Sequence, residues 1–146
     1  MQAALEQAAL GLAAGEVPIG AVVVSGDQIV GRGFNQPISA VDPTAHAEVV
    51  ALREAARAVG NYRLTEAVVY VTLEPCLMCV GALVHARVKA VIYGAAEPKT
   101  GALASTVRAL DTPGLNHRFT FDGGLLEREC RELVQAFFRE RRRPTV

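Results

Sequence analysis

Nowhere does the sequence supply an uninterrupted apolar run of the ~18 residues that a membrane-spanning helix requires, although 51% of its residues are hydrophobic. The start of the chain lacks a charged region followed by an apolar stretch and a cleavage site, so a cytoplasmic protein is expected. Net charge is missing too. Fifteen Lys and Arg balance fifteen Asp and Glu to a formal charge of zero, which removes any global field drawing the chain to nucleic acid or to a membrane. RNA contact would have to come from a local patch. Cysteine is sparse and odd in number, three in all, which argues against a disulfide framework. Two of them stand in Cys76-Leu77-Met78-Cys79, a spacing that suits a metal or redox site in a reducing compartment. Internal repeats, low-complexity tracts and a break between domains are absent as well. A single domain over residues 1–146 is expected, able to bury roughly 68–70% of its unfolded surface without staples.

Periodicity outlines the elements. From Gln2 to Ala14 the residues Leu5, Ala8, Ala9 and Leu12 recur at three and four, predicting an amphipathic helix stopped by Gly15. Val17 to Val24 and Gln28 to Phe34 form a hairpin around Gly26-Asp27, with the second strand weakened by Gly31 and Gly33. Those two glycines are no phosphate loop, because no helix opens behind them. Asp42 is expected to cap a helix whose first position is Pro43 and whose end lies near Val59, before Gly60 and Asn61. Ala67 to Leu73 is a strand covered on both faces. Pro75 opens a helix to Ala86, and Val88 to Tyr93 is another buried strand. A turn at Lys99-Thr100-Gly101, a short helix from Ser105 to Leu110 and a turn at Pro113-Gly114 follow. A strand near Arg118 to Phe121 and a helix from Leu125 to Arg142, with Leu126, Leu133, Val134 and Phe137 inward, complete the chain. This succession predicts an α/β protein, a three-layer α/β/α sandwich around a mixed, mostly five-stranded sheet.

Cys76 and Cys79 lie three apart at a helix start, so both sulfurs face one side and can reach one metal. A helix N-terminus favours their thiolate forms. Three protein ligands leave a coordination position open for solvent, whereas four close it. His46 is the best third ligand. Glu48 follows two residues later, and both side chains address one point only if the metal lies beyond the helix end, so two helix N-termini are expected to meet it end-on. Two thiolates cancel the charge of a zinc ion and make its water less acidic, which the helix ends and proton uptake by Glu48 offset. Taken singly, His46 would be a buried hydrogen-bonded histidine and Glu48 a solvated helix residue. A thioredoxin-like pair or a structural zinc would explain the cysteines but not their combination with His46 and Glu48. Cys130 has no ligand-spaced partner and is expected as a buried structural thiol. His85 is out of phase with Cys76, and His117 suits a loop tether and a partner contact equally.

His-x-Glu followed by Pro-Cys-x-x-Cys is the signature of zinc nucleobase deaminases. Together with Gly15 to Ala21, Asp42 to Glu48, Asn61 to Leu64, Thr72 to Ala82, Lys99 to Ala102, Gly114 to Arg118 and Phe137 to Arg139, it makes the sequence resemble the bacterial tRNA-specific adenosine deaminases over nearly its whole length. The resemblance implies a cytidine-deaminase-like fold, one Zn2+ per subunit on His46, Cys76 and Cys79, and Glu48 as proton shuttle. It implies hydrolysis of adenosine to inosine at the wobble position of a tRNA anticodon stem-loop, with zinc-activated water attacking C6, and a homodimer whose RNA groove uses both subunits. Asn35 would hydrogen-bond the extruded purine, against the alternative of an ordinary Asn-x-Pro turn. Lys99, His117, Arg118, Phe138 and Arg139 would meet RNA, against the alternative that Arg-rich helix ends serve the helix dipole. Glu97 stands where the family more usually has aspartate and is left outside the expected site. A small-molecule guanine or cytosine deaminase would share every metal residue. A noncatalytic RNA-binding module with structural zinc would need a fourth ligand, for which Cys130 and His117 are the candidates.

Overall fold

Valine-rich runs become strands and the segments between them become helices, as branched side chains favour the pleated sheet. In chain order the elements are helix α1 (Gln2–Ala13), strands β1 (Gly20–Ser25) and β2 (Gln28–Phe34), helix α2 (Ala47–Val59), strand β3 (Val68–Leu73), helix α3 (Leu77–His85), strand β4 (Ala90–Ala95), a 3-10 turn at Ala109–Asp111, strand β5 (Thr120–Gly123) and helix α4 (Glu127–Arg141), in a computed structural model that describes residues 1–145.

The strands align as β2-β1-β3-β4-β5. β1 runs antiparallel to β2 and β3, whereas β3, β4 and β5 are mutually parallel, so the sheet is mixed and five-stranded as expected. Gly20 faces α1, where an added Cβ would meet Ala8 N at 2.5 Å, and Gly94 faces α4, where it would meet Cys130 Cβ at 2.8 Å. Gly33 pairs with Ala21, the residue after Gly20, and so turns to the opposite face, towards α2. Thus α1 and α4 cover one face while α2, with α3 beside it, covers the other. Val69, Val71, Val91, Ala51, Ala55 and Leu83 are fully buried between the sheet and the second helix layer. Among the described residues no helix is long and apolar enough to cross a membrane.

Several local expectations are corrected. Asp42 caps no helix: its Oδ1 accepts the Thr44 N–H at 2.8 Å and the Thr44 hydroxyl at 2.7 Å, closing a turn, and α2 begins only at Ala47. Pro75 lies one residue before the cap of α3, which is Cys76. Strand β1 starts at Gly20 rather than Val17, after a tight turn in which Ile19 N–H meets Val17 O at 2.8 Å. The short helix near Ser105 shrinks to the 3-10 turn at Ala109–Asp111. Ala4, Ala8 and Gly11 form the buried stripe of α1, with Leu12 exposed; Ala4 and Ala8 lie against Gly20, and Gly11 lies against Phe34. On α4 the inward position belongs to Cys130, with Leu133, Val134 and Phe137 half-buried beside it. Gly31 and Gly33 are not weak points in β2. A Cβ at Gly33 would lie 2.6 Å from both Ala47 O and Ala51 N, and one at Gly31 would lie 2.8 Å from Ala55 N, so the missing side chains let α2 rest on the strand.

Candidate metal centre and active site

Two strands deliver the site. The segment after β2 turns through Gln36 to Ala45, where the Gln36 N–H meets Ala45 O at 2.9 Å, and ends at His46, the N-cap of α2. β3 ends at Leu73, and Cys76 becomes the N-cap of α3 in extended conformation, with φ −76° and ψ 173°. Cys79, one turn into that helix, is fully buried. His46 Nδ1 then lies 3.5 Å from the sulfur of Cys76 and 3.5 Å from that of Cys79, and the three ligand atoms fall within 4.8 Å of one another.

A tetrahedral zinc with sulfur at about 2.3 Å and nitrogen at about 2.0–2.1 Å has an S···N edge of about 3.6 Å. The observed spacing fits that edge, and two thiols with one imidazole suit zinc chemically. Each helix presents its first residues to the cluster, with His46 and Cys76 as the N-caps of α2 and α3. Neither candidate for a fourth ligand reaches it. Cys130 is buried on α4 against Gly94, and His117 Nε2 pairs with Val88 O at 2.7 Å.

Glu48 is the buried acid beside this group, 4% exposed. It shares a cavity of about 130 Å³ with Asn35, His46, Glu74, Cys76 and Thr100. Burial pushes the Glu48 carboxyl up from its ordinary range, against the thiol of Cys79 that faces it. A hydrogen bond from the Cys79 thiol lowers Cys76 to about 4, against burial and with help from His46, while Cys79 itself is pushed up. His46 is raised by the Cys76 sulfur it meets, against its own burial. A buried carboxyl with a raised pKa therefore sits next to the ligand cluster.

The chain matches the MafB19-like deaminase family over residues 1–142. It is 46% identical over 143 residues to the tRNA-specific adenosine deaminase of Haemophilus influenzae, a match spanning 97% of this chain and 83% of that protein. The chain belongs to the tRNA-specific adenosine deaminase family. A solved structure from a study of A-to-I editing by tRNA:A34 deaminases at the wobble position of transfer RNA superposes with a TM-score of 0.89 at 42% identity, covering 91% of this chain and 96% of that one. The fold is therefore the cytidine-deaminase-like three-layer sandwich. A guanine deaminase from Bacillus subtilis is also similar, with a TM-score of 0.63, 34% identity and coverage of 99% and 93%.

Within this family fold the remaining site candidates divide. Asn35 joins the cavity and is only 7% exposed. Lys99 and Phe138 both line a second, larger cavity of about 640 Å³, whose walls come mainly from the Ala95–Thr100 segment and α4. Leu73 and Thr100 line both cavities, so the two adjoin. Arg139 is exposed but lies outside this lining, which takes its C-terminal cations from Arg131 of α4 and Arg142 just after it. Sequence reasoning missed Arg131, although Arg131, Gln135, Phe138 and Arg142 recur at four, three and four, the spacing of one helix face. His117 and Arg118 line neither cavity. Arg118 donates to Leu110 O and Thr112 O, both at 2.8 Å, and with His117 it ties the Leu110–Arg118 loop to the body. Glu97 accepts the Lys99 N–H at 2.9 Å, holding the turn that presents Lys99.

Proposed function

We propose that the chain is a single catalytic domain that hydrolyses adenosine to inosine at the wobble position of a tRNA anticodon loop, with one zinc ion on His46, Cys76 and Cys79. The observation carrying this reading is Glu48, a buried carboxyl in the same small cavity as the ligand cluster and Asn35. Zinc, when bound there, makes water a nucleophile at neutral pH. Glu48 takes the proton that the attacking water gives up and returns protons to the ring nitrogen and to the departing ammonia, a task served by a carboxyl whose pKa is raised towards the working pH. The C6 amino group leaves, oxygen replaces it, and no redox partner is needed. Asn35 offers both a donor and an acceptor to the edge of the purine.

RNA as substrate is supported by the adjoining cavity, where Lys99, Arg131 and Arg142 supply cations for phosphate and Phe138, 40% exposed, supplies a face for a flanking base. The names of the relatives point the same way. A homodimer is supported by an apolar groove lined by Leu52, Tyr62, Ala82 and His85, with Tyr62 63% exposed. Action on tRNA is compatible with the cytoplasm.

The test offers zinc-loaded protein an anticodon stem-loop bearing a wobble adenosine beside free adenine, guanine and cytosine, following inosine and ammonia. Inosine in the stem-loop alone supports the reading. Turnover of guanine or cytosine without RNA activity selects a small-molecule deaminase, and no turnover of any substrate selects a noncatalytic module.

A further inference from the structure

Glu74 belongs to neither the ligand cluster nor the proton relay, yet it is a carboxylate only 3% exposed in the wall of the catalytic cavity. Its partners all come from one distant segment. Oε1 accepts the Glu97 N–H at 3.2 Å and the Ser105 hydroxyl, while Oε2 accepts the N–H groups of Leu103, Ala104 and Ser105 at 3.2, 2.9 and 3.0 Å. Residues 97–105 thus wrap around a single anion. A Cβ at Gly101 would stand 2.5 Å from Glu74 Oε1 and 2.6 Å from Glu97 O, so the wrap is tight enough to require glycine there. The backbone closes the same ring: the Glu74 N–H meets Ala95 O at 2.9 Å and the Ala102 N–H meets Pro75 O at 2.8 Å.

We infer that Glu74 is a positioning residue that shapes the 97–105 loop, and through Lys99 and Thr100 sets the substrate-facing wall shared by the two cavities. This rests on the proposed function for the identity of the substrate, but not for the geometry. The loop carries Lys99 into the larger cavity and Thr100 into both, whereas His46 and Glu48 ride on α2 and the thiols on α3. Loosening the loop therefore weakens the hold on substrate more than the chemistry. An amide at position 74 keeps the shape of the carboxylate, but its NH2 group cannot accept a hydrogen bond. One side of the carboxylate's donor set would lose its acceptor.

The experiment compares wild type with Glu74→Gln for zinc per chain, amide hydrogen exchange at Leu103, Ala104 and Ser105, and KM and kcat on the anticodon stem-loop. Expected are unchanged zinc, exchange faster by about tenfold or more, KM higher by about tenfold and kcat within about threefold, the effect of losing a charged acceptor for buried N–H donors. Faster exchange with an unchanged KM overturns the inference, as does a fall in kcat at constant KM. Should Glu74→Gln fold poorly or lose zinc, Ser105→Ala removes one bond from the loop side. It should move exchange and KM in the same direction, and no movement in either overturns the inference. If wild type acts on a free base instead, the substrate reading fails, and the same split is measured on that base, which would meet Thr100. With no turnover at all, stem-loop affinity replaces KM.

Discussion

His46 and Cys76 are each the N-cap of a helix, and the imidazole Nδ1 of one lies 3.5 Å from the sulfur of the other. The positive ends of α2 and α3 therefore converge on the cluster, which stabilises the thiolate charge that a cation would need. The ligand set is built where two helices start.

Glu48→Ala should leave zinc content at one per chain and lower kcat by at least ~10²–10⁴-fold, the contribution of a positioned acid-base group. Metal analysis alongside single-turnover deamination checks this. A variant that loses zinc and activity together would make Glu48 a structural support of the site.

Removing zinc with a chelator should expose one thiol to alkylation in the folded protein, that of half-buried Cys76. Cys79 is fully buried, and Cys130 is held up to about 11 by burial, with the charge of Glu129 adding to it. Mass spectrometry after a brief iodoacetamide pulse at neutral pH reads the order. Cys130 labelling as fast as Cys76 would contradict the structure.

Gly33→Ala places a methyl group 2.6 Å from the backbone of Ala47 and Ala51, and neither can yield without moving the first turn of α2. A loss of about 1–3 kcal/mol is expected from such overpacking. Because His46 and Glu48 sit at that turn, kcat should fall beyond what the unfolded fraction explains. Urea unfolding measured with activity at low denaturant separates the two effects.

Asp42 is held below its ordinary carboxylate range by the Thr44 hydroxyl and then the Thr44 N–H, with Arg53 adding to them. A folded-state pKa lower than the unfolded one means that this stabilisation is fully present above the unfolded value of about 3.9 and is lost as pH falls through the lowered folded value. Asp42→Asn should therefore lower the urea midpoint near neutral pH and make its fall below about pH 4 shallower than in wild type. Parallel acid limbs for the two proteins would remove Asp42 from the account.

Arg131→Ala and Arg142→Ala should each weaken stem-loop binding and reduce its salt dependence by about one phosphate contact. Arg139→Ala should change neither, since that side chain lies outside the cavity lining. Binding titrations over a range of salt concentrations decide this, and a larger effect at Arg139 would move the RNA path off this groove.

The ligand cluster was legible because its signal is local. Cys76 and Cys79 share one helical turn, and His46 and Glu48 share another, so spacing alone restricts where their atoms can go. Boundaries were less legible. Asp42-Pro43 carries the residue types of a helix start, but the Thr44 hydroxyl and N–H compete for the same carboxylate and close a turn instead. Gly31 and Gly33 looked like weaknesses in a strand because their value lies in the helix that rests on them.

By itself the sequence determined the main run of helices and strands and two local pairs, Cys76 with Cys79 and His46 with Glu48, since these follow from short-range spacing and side-chain type; that the two pairs belong to one site followed from the resemblance to the deaminase family. Tertiary structure alone decided that Glu74 accepts hydrogen bonds from a loop some 23 to 31 residues away, that Arg118 and His117 bond to backbone carbonyls around their own loop, and that Arg131 and Arg142 line one cavity with Lys99. The physical reason is that those roles depend on distances between separate segments. Such distances are set by how the helix layers settle on the sheet, and no local pattern of residues encodes them.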